Sequence, residues 1–222
     1  MKRRPEPELM DSEAQTAAYA AADFNESNTL FTKHFIQSFP DLPKKGRMID
    51  LGCGPGDIVV RMAQAFPAWH ITGLDAGKNM LSLAEQRLAS EDNCSNVAFR
   101  QAYLPDATLE GGAYQGLISN SLLHHLPDPL VLWQSMRQLA APGAAIQVMD
   151  LFRPENESAA VQLVDQYSGG EPEVLQEDFY NSLLAAYTVD EIAAQLVQAG
   201  LQGLKVKMAS DRHWIASGHY PA

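Results

Sequence analysis

The chain has 222 residues and a net charge of −11, from 27 acidic against 16 basic side chains. That length suits one domain with a substantial core, and the charge balance disfavours nucleic acid and other polyphosphate partners, which are bound chiefly through clustered Lys and Arg. Two cysteines, Cys53 and Cys94, follow neither C-x-x-C nor a secreted-framework spacing, which argues against a disulfide scaffold or structural zinc and fits a reducing cytoplasm.

In chain order, Lys2-Arg3-Arg4 is followed by Pro5-Glu6-Pro7-Glu8 where an export signal would need an apolar stretch, and a short polar leader runs to Asp11. No apolar run approaches the roughly 18 residues of a membrane helix, so no membrane partner is expected. Apolar and small residues at helical spacing over Ser12 to Phe39, with Phe31, Phe35 and Phe39 four apart, predict one or two helices that stop at Pro40. From Arg47 short apolar runs alternate with helical stretches. Strands are expected at Arg47 to Leu51, His70 to Asp75, Val97 to Ala102, Gly116 to Asn120 and Ala144 to Asp150. Helices are expected at Asp57 to Phe66, Asn79 to Ser90 and Leu130 to Ala140, with Pro67 and Pro142-Gly143 as stop signals. This is the signature of βαβ units building a parallel sheet covered on both faces. Glu155 to Tyr187 breaks the rhythm and reads as a helical insertion. Asp190 to Ala199 then reads as a helix closed by Gly200, and Gly203 to Met208 with His213 to Gly218 as an antiparallel pair at the sheet edge.

The stretch Asp50-Leu51-Gly52-Cys53-Gly54-Pro55-Gly56-Asp57 carries a buried strand into a glycine-rich turn and then a helix. Such turns, at the carboxyl ends of strands, are where open α/β sheets bind ligands. A dinucleotide-binding turn would need a third glycine at position 57, where this chain has an Asp that would repel a pyrophosphate, and no Lys-Ser or Lys-Thr of a P-loop follows Gly56. The turn therefore favours a ligand without phosphates there. Asp75, at the end of the second strand and about 20 residues beyond the turn, presents only acceptors, as two adjacent ribose hydroxyls require. Its alternative role is a helix cap, for which Asn79 is itself equipped.

From about Arg47 to Arg153 the sequence resembles the class I S-adenosylmethionine-dependent methyltransferases, small-molecule branch. Asp50 to Gly56 is similar to that family's first motif and Gly73-Leu74-Asp75 to its second. Ile118-Ser119-Asn120-Ser121-Leu122-Leu123-His124-His125-Leu126-Pro127-Asp128-Pro129 is similar to its fourth-strand segment, and Met136 to Leu139 with Pro142-Gly143-Ala144 to the segment leading into the fifth. The resemblance implies an α/β fold, a Rossmann-like seven-stranded mostly parallel sheet with helices on both faces and an antiparallel edge strand. It divides a single domain into a flexible leader (1–11), a helical cap (12–46), a cofactor-binding core (47–153), a helical insertion over the cleft (154–188) and a C-terminal helix and strand pair (189–222). S-adenosylmethionine is the implied cofactor and a small molecule the implied acceptor. Gly52, Cys53, Gly54 and Gly56 would surround the methionine part, with Asp50 orienting the loop. Asp75 and Ala76 would take the ribose, Met80 the adenine face, and Asn120 with Ser121 the amino end. Ala102-Tyr103 stands where the family often has Gly-Asp, with the Tyr103 hydroxyl or the neighbouring backbone at Leu104 in place of the Asp toward the adenine amino group, and Gln115 stands where an acidic residue is common.

The sulfonium of that cofactor carries its own activation, so no metal is required and the protein must chiefly align acceptor and methyl. His124 and His125 are the candidate bases. Adjacent residues point different ways, so one is expected to face the pocket and the other to be buried and hydrogen-bonded. No Cys, Asp or Glu shares their turn at ligand spacing, which argues against a metal there. Tyr19, Phe24, Tyr167, Tyr180 and Tyr187 are read as core packing or as walls of an acceptor pocket, Asp150 and Arg153 as pocket-rim candidates, and Trp214 as core. Competing readings are a cofactor-binding regulatory or interaction module without catalysis, a nicotinamide dehydrogenase, and methylation of protein or RNA. Oligomeric state is not legible.

Overall fold

The computed structural model describes residues 1–6, 12–91 and 94–221. Residues 7–11, most of the expected leader's second half, lie outside the described residues. The cap is two helices, α1 (Glu13–Ala21) and α2 (Asn25–Ser38). There follow β1 (Arg47–Leu51), α3 (Asp57–Ala65), β2 (His70–Asp75), α4 (Lys78–Ala89), β3 (Val97–Gln101) and β4 (Tyr114–Asn120). A 3₁₀ turn at Leu123–His125 leads to α5 (Leu130–Leu139) and β5 (Ala140–Leu151). The expected insertion is a pair of helices, α6 (Glu157–Ser168) and α7 (Glu173–Ala185), and the chain ends with α8 (Val189–Ala199), β6 (Lys205–Met208) and β7 (His213–His219).

The strands form one seven-stranded sheet in the order β3-β2-β1-β4-β5-β7-β6. All pairs are parallel except those of β7, which runs antiparallel to both β5 and β6. The antiparallel strand therefore sits one place in from the edge, with β6 outermost. Strand order reverses between β1 and β4, so the connections leaving their carboxyl ends diverge to opposite faces and open a crevice there.

Period-2 alternation sends successive side chains to the two faces. Ile49 on β1, Ile146 and Val148 on β5, and Trp214 and Ala216 on β7 join the cluster under α5 and α8, around Trp133. Met48, Ala145, Met149 and Ile215 join the opposite cluster, with Phe31 and Phe35 of α2 and Val59, Met62 and Ala63 of α3. Trp214 is core, as the sequence suggests. On the α2 side a buried polar residue is bonded at both amide atoms: Gln147 Nε2 donates to Phe31 O (2.9 Å) while its Oε1 meets His34 Nδ1 at 2.8 Å, fastening α2 to β5.

Local chemistry sets the boundaries. Thr188 and Glu191 form a reciprocal capping box at the start of α8, and Gly200 ends it in the left-handed region. Pro142-Gly143 is not the helix stop expected: α5 ends at Leu139 and β5 already begins at Ala140, where the ladder pairs Tyr114 with Ala140, then shifts to pair Gly116 with Ala145. A proline without an N–H and a glycine at φ 75° occupy the irregularity, where no ladder donor is needed.

The first six residues are not the flexible leader expected. Arg4 N donates to Leu184 O (3.0 Å), Arg3 Nε to Ala185 O (2.5 Å) and Arg3 Nη2 to His124 O (2.9 Å), so this segment is strapped across the end of α7 and the 3₁₀ turn. Among the described residues no helix is long and apolar enough to cross a membrane.

Phe35 is fully buried, tilted against Phe39 and edge-on to Phe66 at the end of α3, which joins the cap to the core on that face. Phe35→Ala is expected to lower the stability measured by urea unfolding by about 3–5 kcal/mol with an unchanged m-value. A loss under about 1 kcal/mol would mean that α2 unfolds apart from the core.

Candidate functional site

At the β1–β4 crevice the chain turns out of β1 through Gly52, Gly54 and Gly56, at φ 75°, 50° and 78°. Backbone anchors the start of the turn: Gly52 N and Cys53 N both donate to Leu74 O (2.8 and 3.0 Å). Gly54 faces open space, with nothing within 4 Å of where a Cβ would stand, whereas a Cβ on Gly56 would meet Phe99 Cζ at 2.9 Å and Ala84 Cβ at 3.0 Å. One glycine thus keeps a surface bare, and the other lets α4 and β3 close in behind the turn.

Asp75 ties this turn to the next loop. Its Oδ2 accepts from Gly54 N and its Oδ1 from Gly77 N, both at 2.8 Å. Asp50, at the end of β1, is buried and its Oδ1 meets no hydrogen-bond donor among the described residues. Burial, with the Asp75 charge second, pushes its carboxyl up to about 8. Asn120 Oδ1, across the crevice at the end of β4, is likewise buried without a donor. Two orphaned acceptors facing one cavity favour a ligand that brings donors or positive charge.

The cavity is a cleft of about 330 Å³. Asp50, Gly52, Cys53, Gly54, Asp75, Ala76, Met80, Tyr103, Leu104, Asn120 and Ser121 all line it; of the positions singled out in the sequence for a cofactor, Gly56 does not, because it faces Phe99 and Ala84 instead. Ser121 is itself in the left-handed region, at φ 57°, where the chain leaves β4. Tyr103 stands at the rim, 57% exposed. Gln115 is turned away, its Oε1 accepting from Arg47 N at 2.8 Å.

The cover comes from the cap rather than the insertion. Tyr19, Asp23, Phe24, Asn25 and Asn28 line the cleft, with Tyr19 stacked on Phe24 at 4.4 Å, whereas no residue of α6 or α7 does. Burial and the charges of Asp57, Asp75 and Asp150 push the Tyr19 hydroxyl up to about 12. Of the other aromatics, Tyr167 bonds Asp211 under the Arg212 guanidinium, and Tyr187 is buried beneath Arg3. The insertion packs instead against the 3₁₀ turn and α1.

Asp57 does not act as an unopposed charge. Its carboxylate accepts from Arg61 Nε (2.5 Å), Arg87 Nη1 (2.9 Å) and Asn28 Nδ2 (2.9 Å), so it locks α2, α3 and α4 together at the cleft wall. Repulsion of phosphates is therefore a weaker discriminator than the sequence implies, because two guanidinium groups offset the charge.

The two histidine rings lie side by side, with centroids 4.1 Å apart, rather than pointing different ways. His125 lines the cleft; His124 is buried, with its Nδ1 2.5 Å from Asp150 Oδ1 and its backbone N donating to Asp150 Oδ2 (3.2 Å). Burial by itself would lower the His124 pKa, but Asp150, and Glu6 more weakly, hold it above the ordinary value; the same pairing, against burial, holds Asp150 below its own. Asp150 and Arg153 are not at the rim. Asp150 is buried with His124, and Arg153 is buried against Ala186 O (3.1 Å) and Glu191 Oε1 (2.8 Å). His213, buried beside Ser210, falls to about 4 through burial and the neighbouring Arg212.

Sequence reading missed Glu6. Its carboxylate reaches both histidines from outside their turn, 3.4 Å from His124 Nε2 and 3.3 Å from His125 Nδ1. Nothing in the local sequence signals this, because the contact joins the strapped terminus to a turn in the middle of the chain.

A family model described as a methyltransferase domain matches residues 42–186. The chain is 25% identical over 198 residues to trans-aconitate 2-methyltransferase of Sinorhizobium fredii, covering 89% of this chain and 70% of that protein. It is 26% identical over 186 residues to 27-O-demethylrifamycin SV methyltransferase of Amycolatopsis mediterranei, covering 82% and 63%. Among solved structures, the plantazolicin methyltransferase BpumL, in complex with a triazolic desmethylPZN analog and SAH, shares the fold with a TM-score of 0.67 at 13% identity, covering 95% of this chain and 87% of that one.

Asp50 gives a pH test of the unliganded site. The unfolded chain loses this proton near pH 4 and the folded one near 8, so between those values the folded state holds the extra proton and its stability falls as pH rises. Asp50→Asn is expected to remove that loss: the stability difference, variant minus wild type, should grow by up to about 1.4 kcal/mol per pH unit from pH 4 to 8 and then level off. A difference independent of pH would mean that Asp50 is ionised in the folded protein at neutral pH.

Proposed function

This chain belongs to the methyltransferase-domain family and takes its methyl group from S-adenosylmethionine, and on that premise we propose that it methylates a small-molecule acceptor in the cleft between β1 and β4. The observation that carries this reading is the pair of buried acceptors without donors, Asp50 Oδ1 and Asn120 Oδ1, facing a cleft whose floor is the bare Gly54 turn. An amino-acid ammonium supplies the donors they lack, and a sulfonium adds positive charge that favours ionised Asp50. In this reading Gly52, Cys53 and Gly54 cradle the methionine portion, Asp75 and Ala76 take the ribose hydroxyls, Met80 and Leu104 sandwich the adenine with Tyr103 at its rim, and Asn120 with Ser121 closes the amino end. Gly56 acts from behind, by letting α4 approach.

The cofactor supplies an electrophilic methyl when bound. The protein's contribution is alignment and exclusion of water, for which the Tyr19 to Asn28 cover is placed. His125 is the acceptor-facing side chain and His124 the positioning one, held by Asp150. A small acceptor is supported by the cleft's modest volume, its cover and the −11 charge, which disfavours RNA. The curated relatives' names, trans-aconitate and a demethylrifamycin, are of the same class. Cys53 and Cys94, both buried and free, suit the reducing cytoplasm we assign.

Calorimetric titration with S-adenosylmethionine and separately with NAD tests the reading. One equivalent of the first is expected to bind, with no heat from the second, and Asp75→Ala should weaken binding by about 10–100-fold, the range for losing a hydrogen bond to a charged group. Circular dichroism on the variant checks that the turn has survived loss of the Gly54 and Gly77 bonds. Heat with NAD alone, or unchanged binding in a folded Asp75→Ala protein, would overturn the assignment.

A further inference from the structure

We propose that Glu6, His124 and His125 form a binding site for one divalent zinc-class cation, assembled by the strapped N-terminus at the inner wall of the cleft. The donor set is two imidazole nitrogens and one carboxylate oxygen, which is the His₂Glu combination that holds zinc with one coordination position left open. The spacing matches. Metal–ligand bonds of about 2.0–2.2 Å in a tetrahedral shell place neighbouring donor atoms about 3.3 Å apart, and Glu6 Oε1 stands 3.4 Å from His124 Nε2 and 3.3 Å from His125 Nδ1. All three donor atoms lie within 4.8 Å of one another.

The surroundings are those of a ligand set rather than a chance encounter. Glu6 Oε1 is buried with no hydrogen-bond donor among the described residues. The nitrogen of His124 that faces away from Glu6 is fixed by Asp150 at 2.5 Å, the outer carboxylate that orients a metal-binding imidazole, selects its tautomer and raises its basicity. Side-chain exposure is 3% for His124, 12% for His125 and 9% for Glu6. Near the three donors, the Glu6 and Asp150 carboxylates outweigh the Arg3 guanidinium, so a dication completes the charge balance. Arg3 and Arg4 hold the strap that delivers Glu6, through Ala185 O, His124 O and Leu184 O. Because His125 also lines the cleft, the open position is suited to a hydroxyl or carboxylate oxygen of a bound molecule. The site itself does not depend on the methyl-transfer reading, and its test uses no cofactor.

The test is titration of the full, untagged, chelator-treated chain with Zn²⁺ by calorimetry, repeated with Co²⁺ while recording the visible spectrum. One Zn²⁺ per chain is expected, with the intense visible bands of four-coordinate Co²⁺. Glu6→Gln, which changes only the strap, and His125→Ala should each weaken Zn²⁺ binding at least 10-fold. Asp150→Asn should weaken it 10–100-fold, as loss of an outer partner does. Thermal melts without metal identify any variant that has failed to fold, and Glu6→Gln alone then decides. No stoichiometric Zn²⁺ binding by the wild type would overturn the proposal, leaving the three groups as an ion-paired cluster. So would binding indifferent to both Glu6→Gln and His125→Ala, which would locate the metal elsewhere.

Discussion

The Asp75 carboxylate bridging Gly54 N and Gly77 N is the contact on which the rest of the cleft depends. The loops leaving the carboxyl ends of the neighbouring strands β1 and β2 run side by side along one wall of the crevice, and their backbone donors have no strand to receive them. One carboxylate satisfies a donor from each loop and so fixes their separation. With Leu74 O accepting from Gly52 N and Cys53 N, the turn keeps its shape without any bulky side chain. That is why the floor can stay bare: Gly54 carries the dihedral strain and exposes only backbone, while Gly56 brings Ala84 and Phe99 up as backing.

Around this turn, ionisable side chains are placed by whether they have partners. Asp57 is surrounded by Arg61, Arg87 and Asn28 and works as a rivet between three helices. Asp50, from the same short segment, is buried without a partner on Oδ1 and is pushed up to about 8. The first is spent on structure; the second retains an unmet electrostatic demand that a cationic ligand can satisfy. His124 and His125 divide in the same manner, one committed to Asp150 and the other turned to the cleft. The N-terminal strap then adds a third carboxylate, Glu6, to the same wall.

How legible was this in the sequence? Glycines at 52, 54 and 56 and an Asp at the end of the next strand are local requirements, because positive φ and a carboxylate at a strand terminus are set within a few residues. The alternation of apolar runs gave the strands for the same reason: which face a residue occupies follows from period 2, as Met48 and Ile49 demonstrate by joining opposite clusters. The different surroundings of His124 and His125 did not follow from adjacency, since the two rings lie 4.1 Å apart; the Asp150 contact of His124 sets them. Of the two parts expected over the cleft, α6 and α7 carry aromatic residues but α7 packs against the 3₁₀ turn and α1, and the α1–α2 junction of the cap lines the cleft.

What the sequence by itself determined is therefore the parallel sheet, its glycine turn and the family to which they belong, each encoded by residues near one another along the chain. Only the tertiary structure decided that Asp57 is neutralised by Arg61 and Arg87, that Arg153 is tied to Glu191, and that Glu6 meets His124 and His125. Those contacts join segments brought together by the packing of helices on the sheet, and no short-range periodicity or spacing records which distant charge will arrive beside which.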